Sequence, residues 1–519
     1  MTSMLELIDR GAGVGCTVSF AGERLETVSL GDVLRGAEST RDFLCERYPA
    51  GAAVAMLLTA SRSCLEALYG AWQAGLRVAS LPIPAAGADY GAYAAQLHRL
   101  MAVAGATELY AEAEYTTLLG LIGVDASPYE SMATRGRGSE REGAELLQFT
   151  SGTTGTPKAV RLSLDRVGEN VAAILERIDP GPGDVSASWL PLSHDMGLVG
   201  MVLTSAAAAA AVGRGTLHLM KPEHFVARPG SWLRLCADTG TTITAAPDFA
   251  LRLATRFARR EPPGDLSALR CLITGAEPIR SSTLRTFTET FSGVGLRPAA
   301  LCPAYGMAEA TLAVTLTPPD AVPLHLDRRD VAAELARFDV DPSLGRETAL
   351  VGSGPPLHRT TVGIDDGGAI TVDSGSLFEE YLTEDGPVAA SRPFATRDLG
   401  FVADGQLFVL GRRDDLLIVA GRKYFARDLE DTVEHVPGVR PGGSAAVGRA
   451  SGRVGVVAEV TVDAAGRAGV EEAIRARLAS EFALAPDGVL LVEPDALPKT
   501  PSGKKQRHLA AAMLDAVAG

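Results

Sequence analysis

The chain has 519 residues, of which 46% are hydrophobic and 22% are charged. That length exceeds what one simple core supports, so we expect about two to four domains of ordinary globular composition. A formal net charge of −14 and a pI near 5.2 argue against nucleic acid or an anionic membrane as the principal partner.

The cysteines and the apolar segments indicate a cytoplasmic protein without a membrane span. Six cysteines are scattered along the chain without a C-x-x-C pair, so we expect free, buried thiols. Residues 1–10 lack a basic region followed by an apolar run, so we expect no signal peptide. The longest apolar run, residues 198–212, is too short to span a bilayer and predicts a buried helix.

In the first half of the chain, apolar strands alternate with helices. Residues 52–58 predict a buried parallel strand, Ser61 opens a helix that ends at Gly75, and residues 77–82 predict the next strand. The alternation returns over residues 241–274. This order is typical of an α/β fold with doubly wound sheets.

The composition changes after about residue 318. Short strands separated by Gly and Pro predict a β-rich subdomain at about 320–413, at the end of a large domain that spans 1–413. Residues 414–519 predict a small α+β C-terminal domain, because an amphipathic helix beginning near Val470 lies between two apolar strands.

The sequence LQFTSGTTGTPKAV (147–160) has the composition of a phosphate-binding loop. Its glycines let the backbone approach a ligand, its hydroxyls donate hydrogen bonds, and Lys158 supplies a cation. It is not a Walker loop, because Pro157 and Ala159 stand where that pattern requires glycine and Ser or Thr. A solvated turn is the alternative for this loop taken alone.

Further stretches add polar side chains in a fixed order. They are WLPLSHDMGL (189–198), CPAYGMAEAT (302–311), TRDLG (396–400) and GRRDD (411–415). The first carries His194 and Asp195, and the second carries Tyr305 and Glu309. Each stretch has a structural alternative, since a lone histidine beside an apolar segment is more often a core residue.

Together and in this order, the stretches resemble those of the acyl-adenylate-forming superfamily, which includes acyl-CoA synthetases, peptide-synthetase adenylation domains, luciferases and fatty-acyl-AMP ligases. The resemblance covers residues 52–507, and WLPLSHDMGLVG, GAEPI, YGMAEAT and GRRDDLLIV are most similar to the fatty-acyl-AMP ligase branch. That branch carries an extra segment that disfavours the domain movement needed for CoA thioesterification. The resemblance places this segment at residues 324–352, where an ordinary connection is the alternative.

The resemblance implies ATP and Mg²⁺ as cofactors, with Glu309 as the metal ligand. The phosphate-binding residues would be Thr150, Ser151, Gly152, Thr153, Thr154, Gly155 and Lys158. The adenosine-binding residues would be Gly275, Ala276, Glu277, Tyr305, Gly306, Met307, Asp398 and Arg412. Within that set, Tyr305 would stack on adenine, and Asp398 with Arg412 would bind the ribose hydroxyls.

The resemblance also implies the catalytic residues of an adenylation reaction. Lys504, in TPSGK (500–504), would contact the attacking carboxylate and the α-phosphate, and His194 would lie where the carboxylate enters. With Glu309 they form the predicted catalytic set. The neighbouring Lys505 and Arg507 are expected to be solvated charges.

A second step follows from the same resemblance. The small domain is expected to be mobile, to rotate about Asp414 and to withdraw Lys504. The acyl group would then pass to the phosphopantetheine thiol of an acyl or peptidyl carrier protein. An acid–CoA ligase is the alternative, because Lys158 makes the loop more similar to acyl-CoA synthetases. A nucleotide-binding pseudoenzyme is a further alternative, which Glu309, Asp398 and Lys504 argue against.

The acid substrate is the least determined feature. The predicted pocket includes His194, Asp195 and Asp248, and Asp248 stands where the branch often has a neutral amide. Because a carboxylate facing an apolar chain is poorly solvated, we hypothesise a short or polar acid, such as an amino-substituted one. A non-carboxylate oxyacid such as nitrite is an alternative. Two further departures are Arg397, in place of a glycine in the ribose motif, and Ala308, in place of a threonine.

Overall fold

The computed structural model describes residues 3–22, 25–84, 89–132, 138–150, 157–344, 346–449, 451–499 and 505–518. In these ranges the helices are, in chain order, α1 (Met4–Gly13), α2 (Leu30–Arg47), α3 (Arg62–Gln73), α4 (Tyr90–Ala104), α5 (Ala113–Leu121), α6 (Leu164–Ile178), α7 (Asp195–Gly197), α8 (Thr204–Val212), α9 (Pro222–Ala227), α10 (Gly230–Thr239), α11 (Asp248–Phe257), α12 (Ser281–Phe291), α13 (Ala332–Ala336), α14 (Ala426–Glu434), α15 (Arg467–Phe482) and α16 (Arg507–Ala518).

The strands in the same ranges form two large sheets and several small ones. They are β1 (Thr17–Ala21), β2 (Leu25–Ser29), β3 (Ala53–Leu57), β4 (Arg77–Leu81), β5 (Leu109–Ala111), β6 (Ser127–Pro128), β7 (Glu145–Thr150), β8 (Lys158–Ser163), β9 (Val185–Ser188), β10 (Thr216–Met220), β11 (Ile243–Ala245), β12 (Cys271–Thr274), β13 (Leu301–Gly306), β14 (Ala313–Leu316), β15 (His325–Asp327), β16 (Ala349–Val351), β17 (Thr360–Ile364), β18 (Ala369–Ser374), β19 (Glu380–Thr383), β20 (Gly386–Ala389), β21 (Phe394–Ala403), β22 (Gln406–Arg412), β23 (Leu416–Val419), β24 (Arg422–Phe425), β25 (Val439–Gly448), β26 (Val454–Val460) and β27 (Gly488–Val492).

Two eight-stranded sheets form the centre of the described structure. Their strand orders are β14-β13-β12-β11-β9-β10-β1-β2 and β20-β19-β8-β7-β4-β3-β5-β6. In the second sheet, β3 pairs in parallel with β4 and β5, and all five residues of β3 are buried. Strands covered on both faces are continuous apolar runs, which is the pattern that residues 52–58 show. The predicted α/β class with doubly wound sheets is confirmed.

Helix α3 shows how a local sequence determines an element between two strands. The Ser61 hydroxyl accepts a hydrogen bond from the backbone N–H of Cys64 at 3.2 Å and so caps the first turn. Trp72, near the other end, is fully buried and donates its indole N–H to the carbonyl oxygen of Glu145. Capping and burial together fix this helix against the sheet.

The apolar run after His194 forms one helical stretch. It comprises α7, a π-helical segment (Leu198–Leu203) and α8. Among the described residues this stretch, Asp195–Val212, is long and apolar enough to cross a membrane, yet 72% of it is buried inside the protein. The prediction of a buried helix is confirmed. The six cysteines are all free, and all but Cys45 are buried.

The second half of the chain forms smaller sheets around this centre. Strands β17, β18, β21 and β22 form an antiparallel sheet in the predicted β-rich region. Strands β15 and β16 pair and enclose α13 within the predicted extra segment. After Arg412, the ribbon β23–β24 and the sheet β25-β26-β27 pack with α14, α15 and α16.

Candidate active site

Strands β7 and β8 carry the two ends of the predicted phosphate-binding loop. Thr150 at the end of β7 pairs with Lys158 at the start of β8. The Nζ atom of Lys158 lies 5.5 Å from the ring centroid of Tyr381, which is a cation–π contact. The predicted loop residues outside the described part of the chain are Ser151, Gly152, Thr153, Thr154 and Gly155. The structure therefore defines where this loop begins and ends.

His194 and Asp195 lie at the start of the buried helical stretch. The Nδ1 atom of His194 is 3.0 Å from Oδ1 of Asp195, and the same oxygen accepts the backbone N–H of Met196. The side-chain amide of Gln148 in β7 donates to the carbonyl oxygen of Ser193 at 2.6 Å. This bond ties the His194 turn to the strand that leads into the phosphate-binding loop.

One wall of the predicted adenine site follows β12. A Cβ at Gly275 would lie 2.8 Å from the carbonyl oxygen of Ala304 in β13, so only glycine allows this approach. Ala276 has φ of 65° and an exposed side chain. Glu277 accepts the backbone N–H of Phe249 at 2.6 Å, and burial raises its pKa. The predicted residues 275–277 thus lie beside the end of β13, which carries Tyr305.

Tyr305 and Asp398 meet although they come from different sheets. The Tyr305 hydroxyl donates to Oδ2 of Asp398 at 2.7 Å, and burial holds the pKa of Tyr305 well above its ordinary value. Arg412 pairs with Asp398 in the ladder between β21 and β22. Its Nε is buried, lies 3.6 Å from Oδ1 of Asp398, and makes no hydrogen bond within the described residues. A buried N–H donor without a hydrogen-bond partner fits a ligand oxygen such as a ribose hydroxyl.

Glu309 lies in the short turn Ala308–Ala310 between β13 and β14. Its Oε1 accepts the hydroxyl of Tyr381 at 2.7 Å, and burial raises its pKa. The described residues include no group of three or more His, Cys, Asp or Glu side chains that could hold a metal ion. A single carboxylate nevertheless fits Mg²⁺, which usually completes its coordination with substrate phosphates and water.

Asp248 does not have the place in the acid pocket that the sequence predicted. It is fully buried, and its carboxylate accepts the backbone N–H of Arg280 and the Nη1 of the same residue, each at 3.0 Å. The Nε of Arg252 adds a third bond at 3.2 Å. Because these donors occupy both oxygens, Asp248 presents no free carboxylate to a substrate. The argument for an amino-substituted acid therefore loses its basis.

Three other residues that the sequence left without a role have partners in the structure. Arg397 pairs with the predicted hinge residue Asp414, with Nε 3.2 Å from Oδ2. Lys505 is partly buried with its Nζ 3.0 Å from Glu430, and Arg507 binds the same glutamate at 2.7 Å. The expectation that Lys505 and Arg507 are solvated is wrong, because a buried carboxylate holds both. Lys504 itself lies outside the described residues.

Comparisons with known proteins show the family of the chain. The chain matches the family described as AMP-binding enzyme over residues 26–331 and that described as Disco-interacting protein 2-like, AMP domain, over residues 414–514. The putative ligase Rv1013 of Mycobacterium tuberculosis is 35% identical over 389 residues, which cover 70% of each chain. The long-chain-fatty-acid–AMP ligase FadD26 of the same species is 32% identical over 409 residues, 71% of this chain and 69% of the relative.

The fold of a solved relative covers the whole chain. A structure from studies of fatty acyl-adenylate ligases of E. coli and L. pneumophila has a TM-score of 0.88 and 26% identity, over 100% of this chain and 99% of that chain. The long-chain-fatty-acid–AMP ligases among the relatives and this solved fold identify the chain as an adenylate-forming ligase. The chain belongs to the AMP-binding enzyme family, in its fatty-acyl-AMP ligase branch.

Proposed function

We propose that this ligase joins an acid with an apolar chain to AMP, releasing pyrophosphate, and then passes the acyl group to the phosphopantetheine thiol of a carrier protein. The observation that carries the proposal is that Tyr305 of β13 donates to Asp398 of β21 beside Arg412 of β22, while Glu309 follows Tyr305 in the next turn. Convergent polar groups at the carboxyl ends of strands are the usual composition of a ligand site in an α/β fold.

The proposal gives the predicted residues these roles in the first step. Tyr305 packs against adenine while its hydroxyl holds Asp398, which binds the ribose together with Arg412. Glu309 would hold Mg²⁺, which when bound would supply positive charge to the phosphates. His194 lies at the entry for the carboxylate, and Lys504 contacts the α-phosphate from the small domain. The hinge at Asp414 and the movement of residues 414–519 belong to the same proposal.

The apolar acid is supported by a cleft beside the helical stretch that follows His194. The helical stretch contributes Gly200, Met201 and Thr204 to the lining of this cleft. Strands and α6 add four isoleucines, Ile174, Ile178, Ile243 and Ile273. An apolar chain gains free energy in such surroundings, whereas an unpaired ammonium loses its hydration. FadD26, a relative in the same branch, is named for long-chain fatty acids.

A pyrophosphate-release screen tests the reaction and the acid together. Straight-chain acids of increasing length are compared with their ω-amino analogues and with nitrite. We expect the apolar acids to exceed their ω-amino analogues by at least about 10-fold in kcat/KM, because burying an unpaired charge costs several kcal/mol. Lys504→Ala is expected to lower release by at least about 100-fold. A preference for the ω-amino analogues or for nitrite would contradict the proposed apolar substrate. Unchanged activity of Lys504→Ala would contradict the role proposed for Lys504.

The acceptor is tested by following the acyl group after the first step. Two ion pairs join the extra segment to the small domain: Arg328 lies 3.4 Å from Asp428, and Arg346 lies 3.3 Å from Glu481. They support a carrier protein as the acceptor, because the extra segment disfavours the domain movement needed for transfer to CoA. We expect labelled acyl groups to transfer to a carrier protein bearing phosphopantetheine and not to free CoA. Lys158 favours the second candidate, an acid–CoA ligase, which efficient formation of acyl-CoA would support.

A further inference from the structure

Tyr381 in β19 contacts two predicted site residues at once. Its hydroxyl donates to Oε1 of Glu309 at 2.7 Å. Its ring centroid lies 5.5 Å from Nζ of Lys158, at the end of the phosphate-binding loop. One side chain therefore joins the carboxylate that receives the metal to the cation that meets the phosphates. Neither the sequence motifs nor the roles given above assign it a function.

Backbone and ring contacts hold Tyr381 in this position. In the ladder between β19 and β8 it pairs with Val160, close to Lys158 on the same strand. The ring of Phe378 lies 4.5 Å from the Tyr381 ring, and the backbone N–H of Phe378 donates to the carbonyl oxygen of Glu309 at 2.8 Å. The backbone of Phe378 and the side chain of Tyr381 thus both hold the turn that contains Glu309.

We propose that Tyr381 is a positioning residue that fixes Glu309 and Lys158 relative to each other, and so sets how the cation and the phosphates of the nucleotide are received together. This inference rests on the proposed function, because it takes ATP with Mg²⁺ as the ligand. The hydroxyl holds the Glu309 carboxylate through Oε1. The ring supports the ammonium of Lys158 without competing for its hydrogen bonds.

Calorimetric binding of ATP to the full chain, with Mg²⁺ and with EDTA, tests the proposal without any turnover. Tyr381→Phe keeps the ring and removes the hydroxyl, so we expect unchanged binding in EDTA and an about 10-fold smaller gain from Mg²⁺. Tyr381→Leu removes both groups and should also weaken binding in EDTA by about 3-fold, because Lys158 loses its ring contact. In a Glu309→Gln background, Tyr381→Phe should cause no further change.

Tyr110→Phe is the matched control, since the buried Tyr110 donates its hydroxyl to Glu108 at 2.9 Å outside the site. It should bind ATP like the parent protein under both conditions. Equal losses with Mg²⁺ and with EDTA in Tyr381→Phe, or an undiminished gain from Mg²⁺, would overturn the proposal. Failure of the parent protein to bind ATP would instead contradict the proposed function.

Discussion

At the scale of single residues, the buried carboxylate of Glu309 combines a requirement of function with a cost to stability. Burial raises its pKa, so the folded protein without nucleotide binds this proton more tightly than the unfolded chain does. The contribution of this group to stability is therefore largest below the ordinary pKa of 4.5 and is lost as the pH rises through the raised value. A neutral amide of the same shape escapes that loss.

We expect Glu309→Gln to be more stable and much less active than the parent protein. At neutral pH its melting temperature should rise, corresponding to about 0.5–2 kcal/mol, because the amide carries no charge that folding must bury. Pyrophosphate release should fall by at least about 100-fold, since the metal loses its protein ligand. Thermal melting across a pH series checks the difference in stability. The difference in melting temperature between the variant and the parent protein should become smaller as the pH falls toward about 5. A variant that is less stable at neutral pH would contradict this reasoning.

The residues that the sequence identified differ from those it missed in a physical way. Tyr305 and Glu309 lie in one short, fixed segment, so the order of residue types already indicates a site. The partner of Glu309, Tyr381, lies 72 residues away and meets it only because β19 joins the sheet beside β8. Asp248 was misread because its partner Arg280 is likewise distant along the chain, and the paired charge is visible only in three dimensions.

At the scale of elements, the hairpin of β13 and β14 places Tyr305 and Glu309, the residues proposed to bind adenine and metal. The backbone N–H of Met307 donates to the carbonyl oxygen of Leu312 at 2.8 Å and closes the turn that contains Glu309. A Cβ at Gly306 would overlap that same carbonyl oxygen. The hairpin can close with Tyr305 on one side and Glu309 on the other only because residue 306 has no side chain.

Gly306→Ala should therefore weaken ATP binding by at least about 10-fold, because the turn must open and Tyr305 and Glu309 must separate. Overpacking of this kind costs about 1–3 kcal/mol, so the melting temperature should fall modestly. Equilibrium binding of ATP is the measurement. Gly120→Ala in α5 is the control, since no atom lies within 4 Å of the added Cβ, and it should bind ATP normally. Normal binding by Gly306→Ala would show that the hairpin tolerates opening.

Elements were easier to predict than their associations. Residues 52–58 and 77–82 gave strands β3 and β4 to within about two residues, and Ser61 caps α3 as its position indicated. Periodicity and capping are local properties, so they can be read from a short window. The pairing of β15 with β16 within residues 324–352, and its ion pairs to the small domain, depend on distant partners.

At the scale of the whole molecule, a series of ion pairs joins the large domain to α14 of the small domain. The Nε of Arg280 lies 3.0 Å from Asp431, while its Nη1 binds Asp248 in α11. Arg252 in turn lies 3.7 Å from Glu434. Both arginines thus bridge a fully buried carboxylate of one domain and a carboxylate of the other.

These ion pairs connect elements that carry, or lie next to, residues of the proposed site. At one end, α11 begins where the backbone N–H of Phe249 donates to Glu277 of the adenine wall. At the other end, Glu434 binds Nζ of Lys505, the neighbour of Lys504 in sequence, at 2.9 Å. Although burial raises the pKa of Glu434, Lys505 outweighs that effect and sets it at about 2. The ion pairs therefore join α14, which binds Lys505, to α11, which begins beside Glu277.

Asp431→Ala should slow the first step more than the second. It removes the small-domain end of one bridge and leaves Arg280 paired with Asp248, so the large domain stays intact. A lost contact of about 1.4 kcal/mol shifts the population of the adenylation arrangement about 10-fold. We expect ATP–pyrophosphate exchange to fall by that factor, while transfer from preformed acyl-adenylate to the acceptor stays within about 2-fold of the parent rate.

The control Asp515→Ala, which breaks a 3.3 Å pair with Arg449 inside the small domain, should leave both rates unchanged. Equal losses in the two steps for Asp431→Ala would mean that this residue supports folding and not domain orientation.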